Sequence, residues 1–431
     1  MQLIIRFAVT SIFLFLALSG SSIAATFGTY DPRSLAMGGT GVSQANIDHA
    51  AYYNPALLSI SQQDDDFSLL IPTIGARIYD PENFLEALED HQDGKYETAM
   101  QDAVNQFENA VTPVDAQASA LLIVANAQRL RDSFVALSDK ELDFEIHAGI
   151  GLAIPSKSLG FAFIASGRAM SGVVVNISEA DKVLMQDYIK AAQDFADNAS
   201  FDDPHPANVV CGTSFCDAKS QLTSRARIQG AVIVESGISL SHEFSSLGDL
   251  SIGITPKSVN VSTYDYQDIT VENSEIDKEK GKQEYDDTNL DIGFAKRLNG
   301  SWKIGGVIKN AIKKEYKTVL GNTITLEPAV RAGVSHHTNW TTVALDIDLT
   351  ENKRLGLTGE KTRYAGLGME FDLSIIQLRI GGRHNLSAND GRQANLLSAG
   401  LGVYLAGFHV DLGVAKNDDE LAAALQLGLQ F

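Results

Sequence analysis

Long hydrophobic runs are missing from this chain, and so is any excess of positive charge. Beyond the first 20 residues no stretch approaches the roughly 18 uninterrupted apolar residues that a membrane-spanning helix needs, although 44% of the 431 residues are hydrophobic. A helical membrane protein is excluded. The 34 Lys and Arg are outnumbered by 54 Asp and Glu, for a formal charge of −20. A broad nucleic-acid surface needs clustered bases to neutralise phosphates, so no nucleic-acid partner is expected. Two cysteines are too few for a disulfide scaffold, and the apolar content is too high for a disordered chain. Gly-x-Ser-x-Gly is absent, and so are histidine pairs at metal-binding helical spacing; adjacent His336 and His337 read as a solvated strand end. The expectation is a protein that is not an enzyme and holds no cofactor or metal.

What is present begins with an export signal. Arg6 precedes an apolar run from Phe7 to Leu18, and Ser22-Ile23-Ala24-Ala25 offers small residues for cleavage after Ala24. At about 12 residues the run is too short to span a bilayer, and no Cys follows it to carry a lipid. Removal of residues 1–24, with Arg6, leaves an acidic exported chain at −21.

The remainder is dominated by period-two alternation. Phe144, Ile146, Ala148, Ile150, Leu152 and Ile154 share one parity, against Glu145, His147, Gly149, Gly151 and Ala153. Such a segment is a strand with one apolar face. The pattern recurs at Val343–Leu349, Ile376–Ile380, Leu397–Leu405, Phe408–Val414 and Leu421–Phe431. Most segments run about 9 to 12 residues, the length of a tilted bilayer span. Fourteen are predicted, among them 159–175, 301–317 and 323–336, with tight connections such as Asn299-Gly300 and Ala406-Gly407 alternating with mostly longer ones. Gly321-Asn322 reads as one short outer connection. The fold class is therefore all-β: a fourteen-stranded antiparallel transmembrane β-barrel over 63–431, in outer-membrane lipid, with both termini periplasmic.

Two long connections carry helical spacing, about 81–140 and 178–200, and are expected to lie over the barrel mouth. Cys211 and Cys216, in the same loop beyond the second helical stretch, are expected to form a disulfide closing a small loop. Inward positions bear mixed charge, at Glu145, Arg225, Arg227, Lys303, Arg331, Asp346, Asp348, Arg379 and Asp411, which reads as a salt-bridged lumen wall.

Residues 25–62 differ from the rest. Gly38, Gly39 and Gly41, followed by Asn54-Pro55-Ala56, stand in a small-residue stretch without strand or helix periodicity. It cannot be a wall strand, and it lacks the Lys-Ser or Lys-Thr of a phosphate loop. Its glycines suit close packing inside a lumen.

At Met37-Gly38-Gly39-Thr40-Gly41 and Asn54-Pro55-Ala56 the chain resembles the FadL-like outer-membrane proteins. From Ala36 through Asp64-Asp65-Asp66-Phe67 it is similar to the family of TraF-like conjugal transfer proteins. The resemblance implies a Gram-negative outer-membrane barrel whose amino-terminal hatch plugs the lumen, passing small hydrophobic compounds. It also implies a C-terminal strand, ending at Phe431, that engages the barrel assembly machinery. The alternative role is an accessory outer-membrane component of conjugal transfer or secretion. FadL-like transporters release ligand sideways at a kinked third strand, which here points to a wall opening at Ser166, Gly167, Arg168, Ser171 and Gly172.

Overall fold

The computed structural model describes residues 31–60, 66–201, 204–216, 221–269, 280–353, 361–388 and 395–430. The export signal and Phe431 lie outside the described residues. Fourteen strands close into one barrel: β1 (Ser68–Tyr79), β2 (Glu141–Ile154), β3 (Gly160–Asn176), β4 (Arg225–Phe244), β5 (Leu250–Ile269), β6 (Lys282–Asn299), β7 (Trp302–Lys309), β8 (Ala329–His337), β9 (Thr341–Asp348), β10 (Tyr364–Asp372), β11 (Ile376–Asn385), β12 (Asn395–Leu405), β13 (Phe408–Lys416) and β14 (Glu420–Gln430). Each pairs antiparallel with its chain neighbour, and β1 closes the ring, with Ser68 opposite Ala153 on β2 and Gln430 on β14. Closure leaves no strand edge, the condition for β-structure in hydrocarbon.

Alternation sorts the two faces. On β14, Leu421, Leu425 and Leu427 are exposed outward, whereas Ala422, Ala424 and Gln426 are buried inward. Outward Ile150, Phe163, Ile238, Leu345, Ile380 and Leu412 continue the apolar belt. Trp302 and Trp340 sit exposed at the tight-turn end, as interfacial aromatics do. At Ala406-Gly407 both residues take positive φ, 52° and 83°, as a type I′ turn demands; at Asn299-Gly300 only the glycine does.

Two segments depart from the expected wall. Those over 301–317 and 323–336 leave the barrel at Asn310, whose φ is +52°, and rejoin it at Ala329 after Pro328. Between them Lys314–Lys317 and Thr323–Leu326 pair with each other in a separate hairpin. Gly321-Asn322 is thus the tip of this hairpin and not a short wall connection.

The strands are unequal. β3 to β6 have 17 to 20 residues, against 8 to 11 for β7 to β13. Since about 9–11 residues span a bilayer, one flank of the wall projects far beyond it on the long-loop side. Four helices, α4 (Phe84–Gly94), α5 (Tyr96–Glu108), α6 (Pro113–Leu137) and α7 (Glu179–Asn198), pack on that flank. Thr112 and Ser178 cap α6 and α7, accepting from the Asp115 and Asp181 amides. Phe84, Leu88, Phe134, Leu137 and Met185 cover Leu142, Val173, Val175, Ala226 and Ile228. Those wall residues face outward: Val173 and Val175 share the parity of exposed Phe163, and Leu142 and Ile228 lie opposite Val173 in register. The helices therefore flank the outer surface of the projecting wall, not the mouth. A helical stripe shows only that a face is buried, and here the surface that buries it is the outside of a tall sheet.

Cys211 and Cys216 are disulfide-bonded across a two-stranded turn, Val210–Cys211 with Ser214–Phe215. Phe215 packs edge-on to Phe107 at 5.1 Å, and the Tyr188 hydroxyl donates to the Cys216 carbonyl at 2.9 Å, so the bridge braces the helical body. Replacing both cysteines by serine is expected to remove about 2 kcal/mol from that body alone. Limited proteolysis should cut within 80–140 and 177–224 faster while the barrel keeps its heat-modifiable gel migration; an unchanged digestion rate would contradict this.

Candidate functional site: the barrel interior

Residues 31–60 lie inside the barrel, almost all buried. They form three short helices that lacked a signal in the sequence: α1 (Pro32–Ala36), α2 (Ile47–Tyr53) and α3 (Leu57–Ile60). Asp31 caps α1 by accepting the Ser34 amide at 2.8 Å, with Pro32 at the first helical position. Gly38 and Gly39 take φ of +71° and +82°, turning the chain against the wall. The approach is backbone on backbone: a Cβ on Gly366 of β10 would stand 2.3 Å from the Gly38 carbonyl oxygen, and one on Gly413 of β13 would stand 2.3 Å from that of Pro32. Wall glycines, as much as those of the inner segment, make the contact possible.

The remaining residues of the glycine motif bond to wall side chains or carbonyls. The Gly41 and Val42 amides both donate to Asp346 Oδ2, at 2.7 and 2.9 Å. Asn54 Nδ2 donates to the Val42 and Phe294 carbonyls, each at 2.9 Å, and its Oδ1 accepts the Ala56 amide. Pro55 and Ala56 lie over Gly253 of β5. Lys309 Nζ donates to the Tyr52 carbonyl at 2.6 Å, and the Arg297 guanidinium to that of Ile60.

A continuous chain of charge ties this segment to β10, β11, β13 and β14. Arg33 grips Glu370 through Nε and Nη2, at 2.7 and 2.8 Å. Glu370 also accepts Arg379 Nε at 2.7 Å, and Arg379 continues to Asp411. His409 Nδ1 meets Asp411 Oδ2 at 2.8 Å, and its Nε2 lies 3.6 Å from Asp48 Oδ2, which accepts Gln426 at 2.7 Å. Arg331 joins Asp348 at 2.6 Å and donates to the Gly39 carbonyl. The sequence had pointed inward Arg331, Asp346, Asp348, Arg379 and Asp411; it missed Arg33, Asp48, Glu370 and His409, of which the last two share that inward parity. Arg225 is exposed at the outer end of β4, and Arg227 lies 3.7 Å from Asp265.

On α2 burial raises the Asp48 pKa, yet His49 and then His409 hold it well below the ordinary carboxylate range. Burial likewise opposes charge on His49, but Asp48 and Asp31 hold it up at about 9. Among the described residues no cluster suits a metal ion; His336 lies tilted against Trp302, 4.7 Å between ring centroids, and His337 bonds to Thr342.

The proposed wall opening is not found. β3 keeps one unbroken register with β2 from Phe161 to Val174 and with β4 from Gly160 to Asn176. Arg168 faces inward to Glu145 at 2.7 Å; Ser166 and Gly172 share its parity, and Gly167 and Ser171 face outward. The small residues accommodate regular strands without opening them. A register shift falls instead in β1, between Leu70 and Thr73, around Ile71 and Pro72, where proline cannot donate to a ladder.

Above the inner segment the lumen changes character. Lys257 pairs with Glu235 at 2.9 Å and Asp291 at 3.0 Å. Beyond that layer the inward residues include Met170, Ala231, Ile233, Val259 and Val261, and the 314–326 hairpin folds in against them through Tyr316, Ile324 and Leu326.

Arg33→Ala strands part of a buried carboxylate that Arg379 still serves, so a loss of about 3 kcal/mol is expected, read as a lower midpoint of heat-modifiable migration. For His49 the raised pKa means its stabilisation is complete below its ordinary value of 6.5 and fades as pH rises through about 9. The thermal midpoint should fall between about pH 8 and about pH 10, and His49→Gln should abolish that step; a step of the same size in the variant would assign it to other groups.

Comparison with known proteins fits this geometry. The TodX deltaS2S3 mutant monoaromatic hydrocarbon channel matches with a TM-score of 0.51 and 11% identity, over 93% of this chain and 99% of that one. The Ralstonia pickettii toluene transporter TbuX matches at 0.50 and 10%, over 94% and 99%. The fold is shared with these two barrels. No curated protein matches in sequence. The family described as F plasmid transfer operon, TraF, protein matches residues 51–348, and with well over half of the chain matched, the protein belongs to it.

Proposed function

We propose that this protein is an outer-membrane channel for small hydrophobic compounds, exported by its amino-terminal signal, inserted with its C-terminal strand as the assembly signal, and closed on the periplasmic side by residues 31–60 acting as a hatch. One observation carries the reading: part-way up the lumen the inward face has an apolar patch, at Met170, Ala231, Ile233, Val259 and Val261, where the 314–326 hairpin covers it. A water-filled pore lines such positions with polar groups. An apolar inner wall offers oil-preferring molecules a place to leave water. Its structural neighbours are a monoaromatic hydrocarbon channel and a toluene transporter. A second reading, an accessory role in conjugal transfer, draws on the family's description and would use the helical body as its contact surface. Among the described residues no nucleophile, base and acid converge in the interior, and its side chains are read as binding and closing groups.

Cells carrying the protein are expected to take up toluene across the outer membrane several-fold faster than cells lacking it, with sugar permeation unchanged. Equal uptake of toluene and of longer apolar compounds in both strains would remove the channel reading. Loss of mating on deletion, with uptake equal, would put the second in its place.

A further inference from the structure

The chamber above the hatch is already filled, and what fills it is informative. Tyr316 is 2% exposed. Its ring sits with Ile324 and Leu326 against Met170, Ala231, Ile233, Val259 and Val261 and faces Tyr285 at 5.3 Å between centroids. The parity of these wall residues places the hairpin inside the barrel, about eleven residues up β3 from its periplasmic end, the depth of one bilayer span. The Tyr316 hydroxyl is buried and finds no hydrogen-bond partner among the described residues. Glu235 and Asp287 flank Val259 in register on the same inward face, and Lys257 pairs with Glu235 at 2.9 Å.

The hairpin is held by polar contacts at its margins. Lys314 Nζ reaches Asp287 at 2.5 Å; Tyr285 both donates to the Lys317 carbonyl at 2.8 Å and accepts its amide at 3.1 Å. Near the tip, Thr318 and Asn322 donate to Asp265 at 2.7 and 2.6 Å. Such bonds exchange readily for water, whereas an apolar chamber left empty loses its contacts outright. The segment can therefore leave only when something of similar shape replaces it.

Resting on the channel reading, we infer that the 314–326 hairpin is a built-in occupant of the ligand site, and that the site takes a single aromatic ring bearing one hydroxyl group. The ring matches the apolar wall that Tyr316 now fills. The hydroxyl matches the polar margin formed by Glu235, Lys257 and Asp287. Tyr316, fixed on a backbone, leaves its hydroxyl unpaired there; a free phenol can shift to pair it. A bare hydrocarbon ring gains only the apolar part.

Full-length protein in lipid nanodiscs, titrated calorimetrically with 4-methylphenol and with toluene, tests this. Tyr316→Ala is expected to bind 4-methylphenol at least about tenfold more tightly than the wild type, and about fivefold more tightly than toluene, the factor of one net hydrogen bond. No gain for either ligand in a heat-modifiable Tyr316→Ala barrel would overturn the site; equal gain for both would overturn the hydroxyl preference. Tyr316→Phe, which keeps the ring, guards against misfolding of the first variant: loss of an unpaired buried hydroxyl should raise the thermal midpoint, and a lowered midpoint would show the hydroxyl to be bonded and refute the argument. Binding in nanodiscs does not require transport. A chain that fails the uptake assay yet gains 4-methylphenol binding loses the channel reading and keeps the site, and the converse result does the opposite.

Discussion

A closed ladder of fourteen strands satisfies every backbone group that lipid would otherwise strand, and its circumference sets the problem that the rest of the molecule answers. A barrel of eight strands can fill its interior with its own side chains; one of fourteen cannot. Residues 31–60 answer from below and the 314–326 hairpin from above. The wall adapts to the first with glycine and alanine on its inward parity, such as Gly366, Gly413, Ala422 and Ala424, and to the second with Ala231 and the β-branched Ile233, Val259 and Val261.

The two fillings are held differently. Buried charge is expensive to desolvate and becomes favourable only when each group is paired and hydrogen-bonded. The inner segment 31–60 meets that condition through the chain Arg33, Glu370, Arg379, Asp411, His409 and Asp48, whose members alternate sign or donor character from end to end. Such a network fixes one orientation, because a shift of the segment would strand several charges together. The hairpin has an apolar face and marginal polar bonds, which specify its place far less strictly.

Legibility in the sequence followed from how many residues a feature imposes itself on. Lipid and lumen make opposite demands on successive residues of every strand, so the barrel and its strand count could be read from alternation alone. That residues 31–60 are not a wall strand was legible in the lack of any period between Arg33 and Leu58, though their three short helices were not, being set by caps such as Asp31 and by wall contacts. Lys314–Lys317 and Thr323–Leu326 alternate as wall strands do; only Asn310 and Pro328 mark the departure, and neither forces it. The Arg33–Glu370 pair joins residues 337 apart, a relation that no local pattern contains. The small residues of β3 suggested a kink, but in a strand they are equally a means of letting neighbours approach.

Both fillings converge on one carboxylate. Asp291, on β6, pairs with Lys257 at the floor of the apolar chamber and accepts the amide of Asn310, the residue at which the chain turns inward toward the hairpin, at 2.8 Å. It also lies 3.8 Å from Lys309 Nζ, whose own hydrogen bond goes to the Tyr52 carbonyl in the hatch. The outer occupant and the inner closure are therefore linked through Asp291 and Lys309. A displacement of 310–328 that moves Asn310 takes a donor from Asp291, leaves more of its charge to be met by Lys257 and Lys309, and so acts on the same ammonium group that holds α2. A ligand taking the hairpin's place would bear on the hatch by this route, without any opening in the wall of β3.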